Sequence, residues 1–278
     1  MPELPEVETT RRGIEPWVTG RRLTGTVVRN AALRWPVELP PALVGTTVER
    51  IDRRGKYLLL RFAAGTLIVH LGMSGSLRVL EPGAEVLTHD HVDLEFDRRV
   101  VRLNDPRRFG CVLFHPGEDA GRHWLLEHLG LEPLSNEFHG TYLFEATRNR
   151  KVAIKNLIMD SKIVVGVGNI YASEALFLAG IRPGVAARRV TRSACDDLAG
   201  AIRKVLSDAI RQGGTTLRDF VGADGKPGYF RQRLNVYGRE GEPCRVCEQP
   251  VRHRVIGQRS SFYCSKCQTG QGFSPVIC

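Results

Sequence analysis

Long apolar segments are missing from this chain of 278 residues. No uncharged run approaches the ~18 residues that a membrane-spanning helix requires. The start of the chain is acidic, unlike the basic and then apolar pattern of an export signal. The sequence also contains no internal repeat and no low-complexity tract. We therefore expect a globular cytoplasmic protein that does not attach to membranes.

A disulfide framework is not expected in such a compartment, although the chain has seven cysteines. Four of them form two Cys-x-x-Cys pairs with 16 residues between the pairs: Cys244, Cys247, Cys264 and Cys267. Each pair places two thiolates on one tight turn, and two such turns complete a closed tetrahedral site. The spacing predicts a ribbon with one structural zinc ion. The alternative is two disulfides. A catalytic zinc would need an open coordination position, which four thiolates do not leave.

Acidic residues are too few to balance the basic ones, so the net charge is +10 and the pI is near 9.6. A surplus of this size indicates an anionic partner, first of all nucleic acid. The surplus is concentrated in two segments, 181–218 and 231–278, each with eight basic and three acidic residues. For any single residue the alternative is an ordinary solvated charge.

Two kinds of periodicity divide the chain. Between residues 23 and 115 the chain has short segments rich in Val, Leu and Ile, which are typical of a β-sandwich or barrel. The predicted strands are Leu23–Asn30, Thr46–Asp52, Lys56–Phe62, Thr66–Leu71, Ser76–Leu80, His91–Phe96, Arg99–Asn104 and Cys111–Phe114. Helices are predicted before them at Leu4–Val18 and after them at Gly121–Leu129, Thr141–Arg148, Val152–Met159, Asn169–Leu178 and Arg192–Gln212. We predict an α+β multidomain protein with a β-sandwich domain at 1–118, a helical domain at 119–228 and a zinc ribbon at 229–278.

The first residues carry the strongest chemical signal. If Met1 is removed, Pro2 exposes a free secondary amine, and an α-amino group titrates near ~8 against ~10.4 for lysine. Such an amine forms a cationic iminium with an aldehyde carbon, which is an electron sink for elimination reactions. Glu3 is a candidate proton donor beside it. The alternative is that the prolines stiffen the leader, while Glu6 and Glu8 suit the dipole of a first helical turn.

Two turns present side chains suited to entering a DNA stack. One turn, 71–76, carries Met73, and another, 105–110, carries Arg107 and Phe109. An apolar wedge and an arginine together open a base stack and hold the gap. The alternative is that the methionine and the phenylalanine are core residues at strand ends.

The glycines of 166–171 favour a helix–turn–helix junction, in which amides at the start of a helix face a phosphate. They do not fit a dinucleotide fingerprint, because the third glycine is missing. His89 and His91 share one face of a strand but have no third ligand in the sequence, so no metal is predicted there.

In combination these motifs closely resemble the bacterial formamidopyrimidine-DNA glycosylase family of repair enzymes for oxidised purines. The resemblance runs through 2–8, 54–57, 70–77, 105–110, 154–160, 164–174, 213–220 and the zinc ribbon. It covers the chain except a tail after Gln268, which has no assigned place.

The resemblance implies a β-sandwich domain joined to a helical domain with a helix–two-turn–helix, and DNA bound across the cleft between them. The residue matching Pro2 attacks C1′ of a flipped nucleotide, and the one matching Glu3 assists opening of the sugar. Lys56 matches a lysine at the active-site phosphates, with a proton-donor role in β-elimination. Arg259, at the tip of the zinc finger, matches a phosphate clamp assigned to δ-elimination.

The resemblance also implies DNA contacts. Met73, Arg107 and Phe109 match the trio that fills the vacated stack, with the arginine facing the orphaned cytosine. Contacts with the DNA backbone are implied for His89, Arg150, Lys155 and Asn169. The loop Thr215–Tyr229 matches a mobile lid over the extruded base, and the alternative is a plain linker.

We therefore predict a monomeric bifunctional DNA glycosylase and abasic-site lyase, acting on double-stranded DNA at a bacterial nucleoid. Its predicted lesions are 8-oxoguanine opposite cytosine and formamidopyrimidines, and its zinc is structural. One alternative is an endonuclease VIII-type enzyme for oxidised pyrimidines, which Leu4 and the stack-filling trio disfavour. Another is a zinc DNA-binding protein without catalysis, which the joint presence of Pro2, Glu3 and Lys56 disfavours.

Overall fold

The computed structural model describes residues 2–117, 119–213 and 234–269. Its contacts divide the chain into two compact units. We call residues Met1–His128 with Ile210–Gln232 the sandwich unit, and Leu129–Ala209 with Arg233–Cys278 the helical–zinc unit. The predicted domain boundaries at 118 and 228 stay predictions.

The first helix, α1 (Leu4–Val18), begins at a capping box. Glu3 is the N-cap residue, and its side chain and that of Glu6 each accept the backbone N–H of the other residue. This arrangement satisfies amides that a helix start otherwise leaves without partners. The helix then buries an apolar stripe that contains Val7, Ile14 and Val18.

Eight strands form two four-stranded antiparallel sheets: β1 (Leu23–Val28), β2 (Val48–Arg54), β3 (Tyr57–Phe62), β4 (Gly65–His70), β5 (Ser76–Leu80), β6 (Asp90–Phe96), β7 (Arg99–Asn104) and β8 (Cys111–Pro116). The strand orders are β1-β6-β7-β5 and β2-β3-β4-β8. Side chains from both sheets and from α1 share one apolar core. The predicted β-sandwich is confirmed.

The predicted helix Gly121–Leu129 is wrong. The segment contains only a 3₁₀ turn, Ala120–Arg122, which ends at His123 in an extended conformation. The Nδ1 atom of His123 then accepts the amide of Leu125 at 3.2 Å. A side chain that captures a nearby amide competes with the helical hydrogen bond, and here it prevails.

The helical–zinc unit contains α2 (Gly140–Thr147), α3 (Ile154–Ile158), α4 (Asn169–Leu178) and α5 (Arg192–Arg211), with a 3₁₀ turn at Ala187–Arg189. A hairpin of β9 (Arg252–Ile256) and β10 (Arg259–Tyr263) follows. Within the described ranges, every helix is too short or too polar to cross a membrane.

The hairpin turn fixes where β10 begins. Gly257 and Gln258 have φ values of 55° and 61°, as a two-residue type I′ turn requires. A Cβ on Gly257 would lie 2.2 Å from Nδ2 of Asn156, so a larger residue would require that side chain to move. The next residue, Arg259, is exposed at the tip of the hairpin.

Candidate active site and metal centre

The start of the chain is held inside the sandwich unit. Pro2 is buried and Glu3 is 2% exposed. The amide of Glu3 donates to Oε2 of Glu6 at 2.9 Å. Because the capping box fixes both residues of this pair, the backbone beside the Pro2 nitrogen has one defined position.

A chain of contacts connects α1 to the turn that carries Lys56. Oε2 of Glu8 lies 3.2 Å from Nε of Arg53, and this guanidinium donates to the carbonyl of Gly55 at 3.0 Å. Burial raises the pKa of Glu8, but hydrogen bonds from Arg11 and the other arginines outweigh it and lower the pKa overall. Glu8 therefore stays charged and positions the turn, a role that the sequence did not reveal.

His70 lies at the end of β4, close to Lys56. Its Nδ1 atom accepts the amide of Gly72 at 3.0 Å, and its ring is 4.8 Å from the ring of Tyr57. Burial lowers the pKa of His70 to about 4, with a further contribution from the positive charges of Lys56 and Arg34. At neutral pH the imidazole is uncharged, so it does not repel the neighbouring cations Lys56 and Arg34.

One buried carboxylate joins the two predicted DNA-stack turns. Asp105 is fully buried, and its Oδ1 atom accepts from Oγ of Ser74 at 3.1 Å and from the amide of Arg107 at 3.3 Å. Its Oδ2 atom accepts the amide of Gly110 at 2.8 Å. The turn with Met73 and the turn with Arg107 and Phe109 are therefore brought together.

The two turns touch through their backbones. A Cβ on Gly72, whose φ is 63°, would lie 2.4 Å from the amide nitrogen of Gly110. Phe109 is 43% exposed, and the guanidinium of Arg107 lies 5.0 Å from its ring centre. The alternative that Phe109 is a core residue is wrong, while Met73 is half-buried.

His89 stands beside the same turns. It is exposed and has a φ of 74°, an unusual conformation for a residue with a side chain. Its carbonyl accepts the amide of Asp105 at 3.0 Å. One buried aspartate thus organises the surroundings of four predicted DNA contacts.

The four predicted zinc cysteines meet in the helical–zinc unit. Their sulfur atoms all lie within 4.8 Å of one another. Sγ of Cys244 is 3.8 Å from that of Cys267, and Sγ of Cys247 is 3.4 Å from that of Cys264. Four sulfurs ~2.3 Å from one zinc ion would be about 3.8 Å apart, whereas a disulfide needs ~2.05 Å. The geometry therefore fits a tetrahedral zinc ion and excludes the two disulfides.

Two further predicted DNA contacts support the hairpin. Lys155 is fully buried, and its Nζ atom donates to the carbonyl of Ser260 at 2.8 Å and to Oγ of Ser261 at 2.7 Å. Nδ2 of Asn169 donates to the same Ser260 carbonyl at 3.0 Å. Both side chains hold the start of β10, which carries Arg259. Arg150 is exposed.

A second buried carboxylate was not recognised in the sequence. Glu174, on α4, is 4% exposed and accepts four hydrogen bonds. The donors are the amides of Asn235, Val236 and Tyr237 and the side-chain amide of Asn235, all at 2.8–2.9 Å. Glu174 thereby attaches the chain entering the zinc ribbon to α4.

Three family models match three successive parts of the chain. Residues 1–112 match the formamidopyrimidine-DNA glycosylase N-terminal domain, 129–221 match its H2TH domain, and 241–270 match the zinc finger found in FPG and IleRS. The formamidopyrimidine-DNA glycosylase of Thioalkalivibrio sulfidiphilus is 60% identical over 96% of this chain and 100% of its own. The chain belongs to the formamidopyrimidine-DNA glycosylase family. It is therefore a DNA glycosylase.

Solved structures of formamidopyrimidine-DNA glycosylases have the same fold. The Thermus thermophilus MutM (Fpg) protein matches with a TM-score of 0.87 and 40% identity, covering 98% of this chain and 100% of that one. The Lactococcus lactis enzyme in complex with abasic-site DNA matches with a TM-score of 0.88 and 30% identity, covering 96% and 99%. The one structural zinc ion agrees with the family's zinc finger. The predicted lid, Thr215–Tyr229, and the tail from residue 270 lie outside the described residues.

Proposed function

We propose that this glycosylase excises oxidised purines, 8-oxoguanine opposite cytosine and formamidopyrimidines, and then cleaves the DNA strand as a lyase. The observation that carries the proposal is the buried terminus, where Pro2 is next to a capping box formed by Glu3 and Glu6. A nucleophile works best when it is held in one geometry and shielded from water. Because the substrate is DNA, we expect the protein to act at the bacterial nucleoid.

The proposed reaction begins with the free Pro2 amine, after removal of Met1. The nitrogen attacks C1′ of the flipped nucleotide, the bond from C1′ to the base breaks, and the base leaves with a proton. Glu3 donates the proton that opens the sugar ring. The product is a cationic iminium between Pro2 and C1′.

Strand cleavage follows from the electron demand of that iminium. It acidifies the C2′ hydrogen, whose removal breaks the bond to the 3′ phosphate, and a second elimination breaks the bond to the 5′ phosphate. Lys56 is the proposed proton donor in the first elimination, and Arg259 is the proposed phosphate clamp for the second. The turn held by Glu8 and Arg53 supports the role of Lys56. Zinc takes no part in the chemistry and only holds the ribbon.

Lesion access requires a flipped base, which costs a few kcal/mol of stacking and pairing. The exposed Phe109 ring, the Arg107 guanidinium beside it and Met73 on the adjoining turn are the proposed groups that fill the gap. Backbone contacts are proposed for His89, Arg150, Lys155 and Asn169. Of these, Lys155 is buried, so we propose that it acts mainly by fixing the hairpin.

Borohydride trapping tests the proposal, since borohydride reduces an iminium to a stable covalent adduct. We expect the wild-type protein to form the adduct with a duplex that carries 8-oxoguanine opposite cytosine. A form with an additional residue before Pro2 has an amide in place of the amine, so it should form no adduct while still binding the duplex. Pro2→Gly should lose most of the adduct, because glycine frees the backbone at this buried position.

Pro82→Gly is the matched control, because Pro82 is exposed in the turn after β5. It should give the wild-type yield of adduct. Absence of an adduct with the wild-type protein would refute the lyase mechanism. Much better trapping on a duplex with oxidised thymine would assign the protein to the pyrimidine lesions instead.

A further inference from the structure

A basic groove lies within the helical–zinc unit, and none of the residues assigned to the chemistry lines it. Its volume is about 710 Å³. One wall is the segment 182–189, and the opposite wall is the hairpin, which contributes Arg254, Ile256 and Tyr263. Lys151 also faces it. None of the twelve described lining residues is acidic.

The wall 182–189 is fixed in place by the neighbouring segment 150–155. The amide of Ile154 donates to the carbonyl of Val185 at 2.7 Å, and the amide of Ala187 donates to the carbonyl of Val152 at 2.8 Å. Arg182 spans to the ribbon, with Nε donating to the Gln268 carbonyl at 2.7 Å. The groove is therefore preformed and does not need ordering when a ligand binds.

Its positive charge is uncompensated. Arg188, Arg189 and Arg254 are exposed, as is Lys151, and none of these four makes an ion pair with a carboxylate in the described ranges. Four like charges around one groove repel one another, and an anion relieves that repulsion. Guanidinium groups present paired N–H donors that match phosphate oxygens.

The position of the groove indicates which anion it takes. Lys151 directly follows Arg150, a proposed DNA-backbone contact. Ile256, on the other wall, is followed by the hairpin turn and then by Arg259, the proposed phosphate clamp. A DNA backbone that contacts Arg150 and Arg259 would therefore reach this groove next along the protein surface. A row of spaced cations suits a row of phosphates better than it suits one small anion.

From these observations we propose that the groove binds the phosphodiester backbone of duplex DNA flanking the lesion, beyond the base pairs that the active site covers. The inference rests on the proposed function, because it places the lesion at Pro2. It deepens that function by assigning a second, sequence-independent DNA site. Binding there contributes affinity for long DNA and takes no part in excision.

The test compares two duplexes, each with a central tetrahydrofuran analogue of an abasic site, which the enzyme cannot cleave. One has about 10 base pairs, roughly one helical turn, and the other about 30. The triple variant Arg188→Ala/Arg189→Ala/Arg254→Ala should bind the long duplex about tenfold more weakly and the short duplex as the wild type does. On the long duplex the salt slope of log K should fall by about two to three, near 0.9 for each phosphate that the protein no longer neutralises.

The matched control removes three exposed cations elsewhere, Arg98→Ala/Arg122→Ala/Lys204→Ala. It has the same net charge as the groove variant and should lose far less affinity for the long duplex. Equal losses on both duplexes, or equal losses in both variants, would overturn the proposal. Selective loss of binding to a single-stranded 30-mer would also overturn it. Borohydride trapping is measured on a separate duplex that carries 8-oxoguanine opposite cytosine, so failure of the glycosylase mechanism is distinguishable from failure of the groove.

Discussion

The sandwich unit and the helical–zinc unit hold their functional side chains in different ways. Among the residues that the structure describes, the core of the sandwich contains 21 buried apolar residues, most of them from α1 and the two sheets. The cluster beneath the zinc ribbon contains five described residues, of which two are the zinc ligands Cys244 and Cys264. A cluster this small does not offset the loss of chain entropy alone. The proposed nucleophile therefore depends on hydrophobic packing, and the proposed phosphate clamp depends on a metal ion.

Both units nevertheless use one buried carboxylate to gather a loop. Asp105 accepts hydrogen bonds from the two DNA-stack turns, and Glu174 accepts four from the chain entering the ribbon. A carboxylate offers about four acceptor positions, so a single side chain satisfies several amides at once. Both units thus use a buried carboxylate to fix the position of a loop. They differ in what stabilises the surrounding structure, which is an apolar core in one unit and a zinc ion in the other.

Removal of zinc should produce the largest difference between the two units, because only the helical–zinc unit should lose structure. Zinc binding contributes ~10–16 kcal/mol to the folding of zinc-finger peptides, so chelation or Cys247→Ser should unfold the ribbon and release the hairpin with Arg259. Limited proteolysis should then cleave within 234–269 while the sandwich unit stays resistant. DNA affinity should fall with the zinc content. Cys278→Ser, which changes a cysteine outside the proposed zinc set, serves as the control. Full DNA affinity in the chelated protein would contradict the dependence on metal.

Acid should weaken the sandwich unit through His70. Its pKa is about 4 in the folded protein and near 6.5 in an unfolded chain. Between these values the unfolded chain binds a proton that the folded chain does not, so stability falls as the pH drops from about 6.5 to about 4. The full difference is about 3 kcal/mol. Urea unfolding between about pH 7 and pH 4.5 measures it.

His70→Asn is the control for that titration. Asparagine does not titrate, and its Oδ1 atom replaces Nδ1 as acceptor for the amide of Gly72. The variant should lose stability less steeply than the wild type between pH 6.5 and pH 4.5. Identical pH dependence in both proteins would show that folding does not lower the pKa of His70.

Substitution of the two loop-gathering carboxylates, Glu174 and Asp105, should have smaller effects, of similar size in the two units. Glu174→Gln turns an amide group towards N–H donors, so we expect it to cost the helical–zinc unit about 2 kcal/mol. Thermal unfolding and DNA affinity should both report the loss. Adduct formation per bound molecule should not change, since Glu174 lies outside the sandwich unit.

Asp105→Asn, the counterpart in the sandwich unit, should instead lower the rate of base excision. Its expected cost in stability is about 1–2 kcal/mol. Because the loosened turns carry Met73 and Phe109, excision of 8-oxoguanine should slow more than cleavage at a preformed abasic site, which needs no base removal. Equal slowing on both substrates would show that the two turns do not assist flipping.

The sequence predicted those features that depend on local pattern. The spacing of the four cysteines predicts the zinc site, because a tight turn determines how far apart two thiolates lie. Short segments rich in Val, Leu and Ile between 23 and 115 predict the sandwich, because such segments separated by turns are typical of strands. The helix predicted at 121–129 failed at His123, which has an extended backbone and whose Nδ1 atom accepts the amide of Leu125.

Contacts between distant residues were beyond prediction. Glu8 resembled an ordinary first-turn acid until the structure placed it against Arg53, 45 residues away. The resemblance implied a DNA-backbone contact for Lys155, whereas in the structure it is buried against Ser260 and Ser261. In both cases the partner is chosen by the path of the chain, which residue type and spacing do not encode.

The opening residues show this division most clearly. The sequence by itself determined that a proline stands next to Glu3, with a free nitrogen once Met1 is removed, and that a zinc ribbon would carry Arg259. Only the tertiary structure decided that Pro2 is buried beside a capping box, that the turn with Lys56 is tied to α1, and that five cations line one groove. Chemical identity is a property of each residue, whereas burial and proximity exist only once distant parts of the chain have packed together.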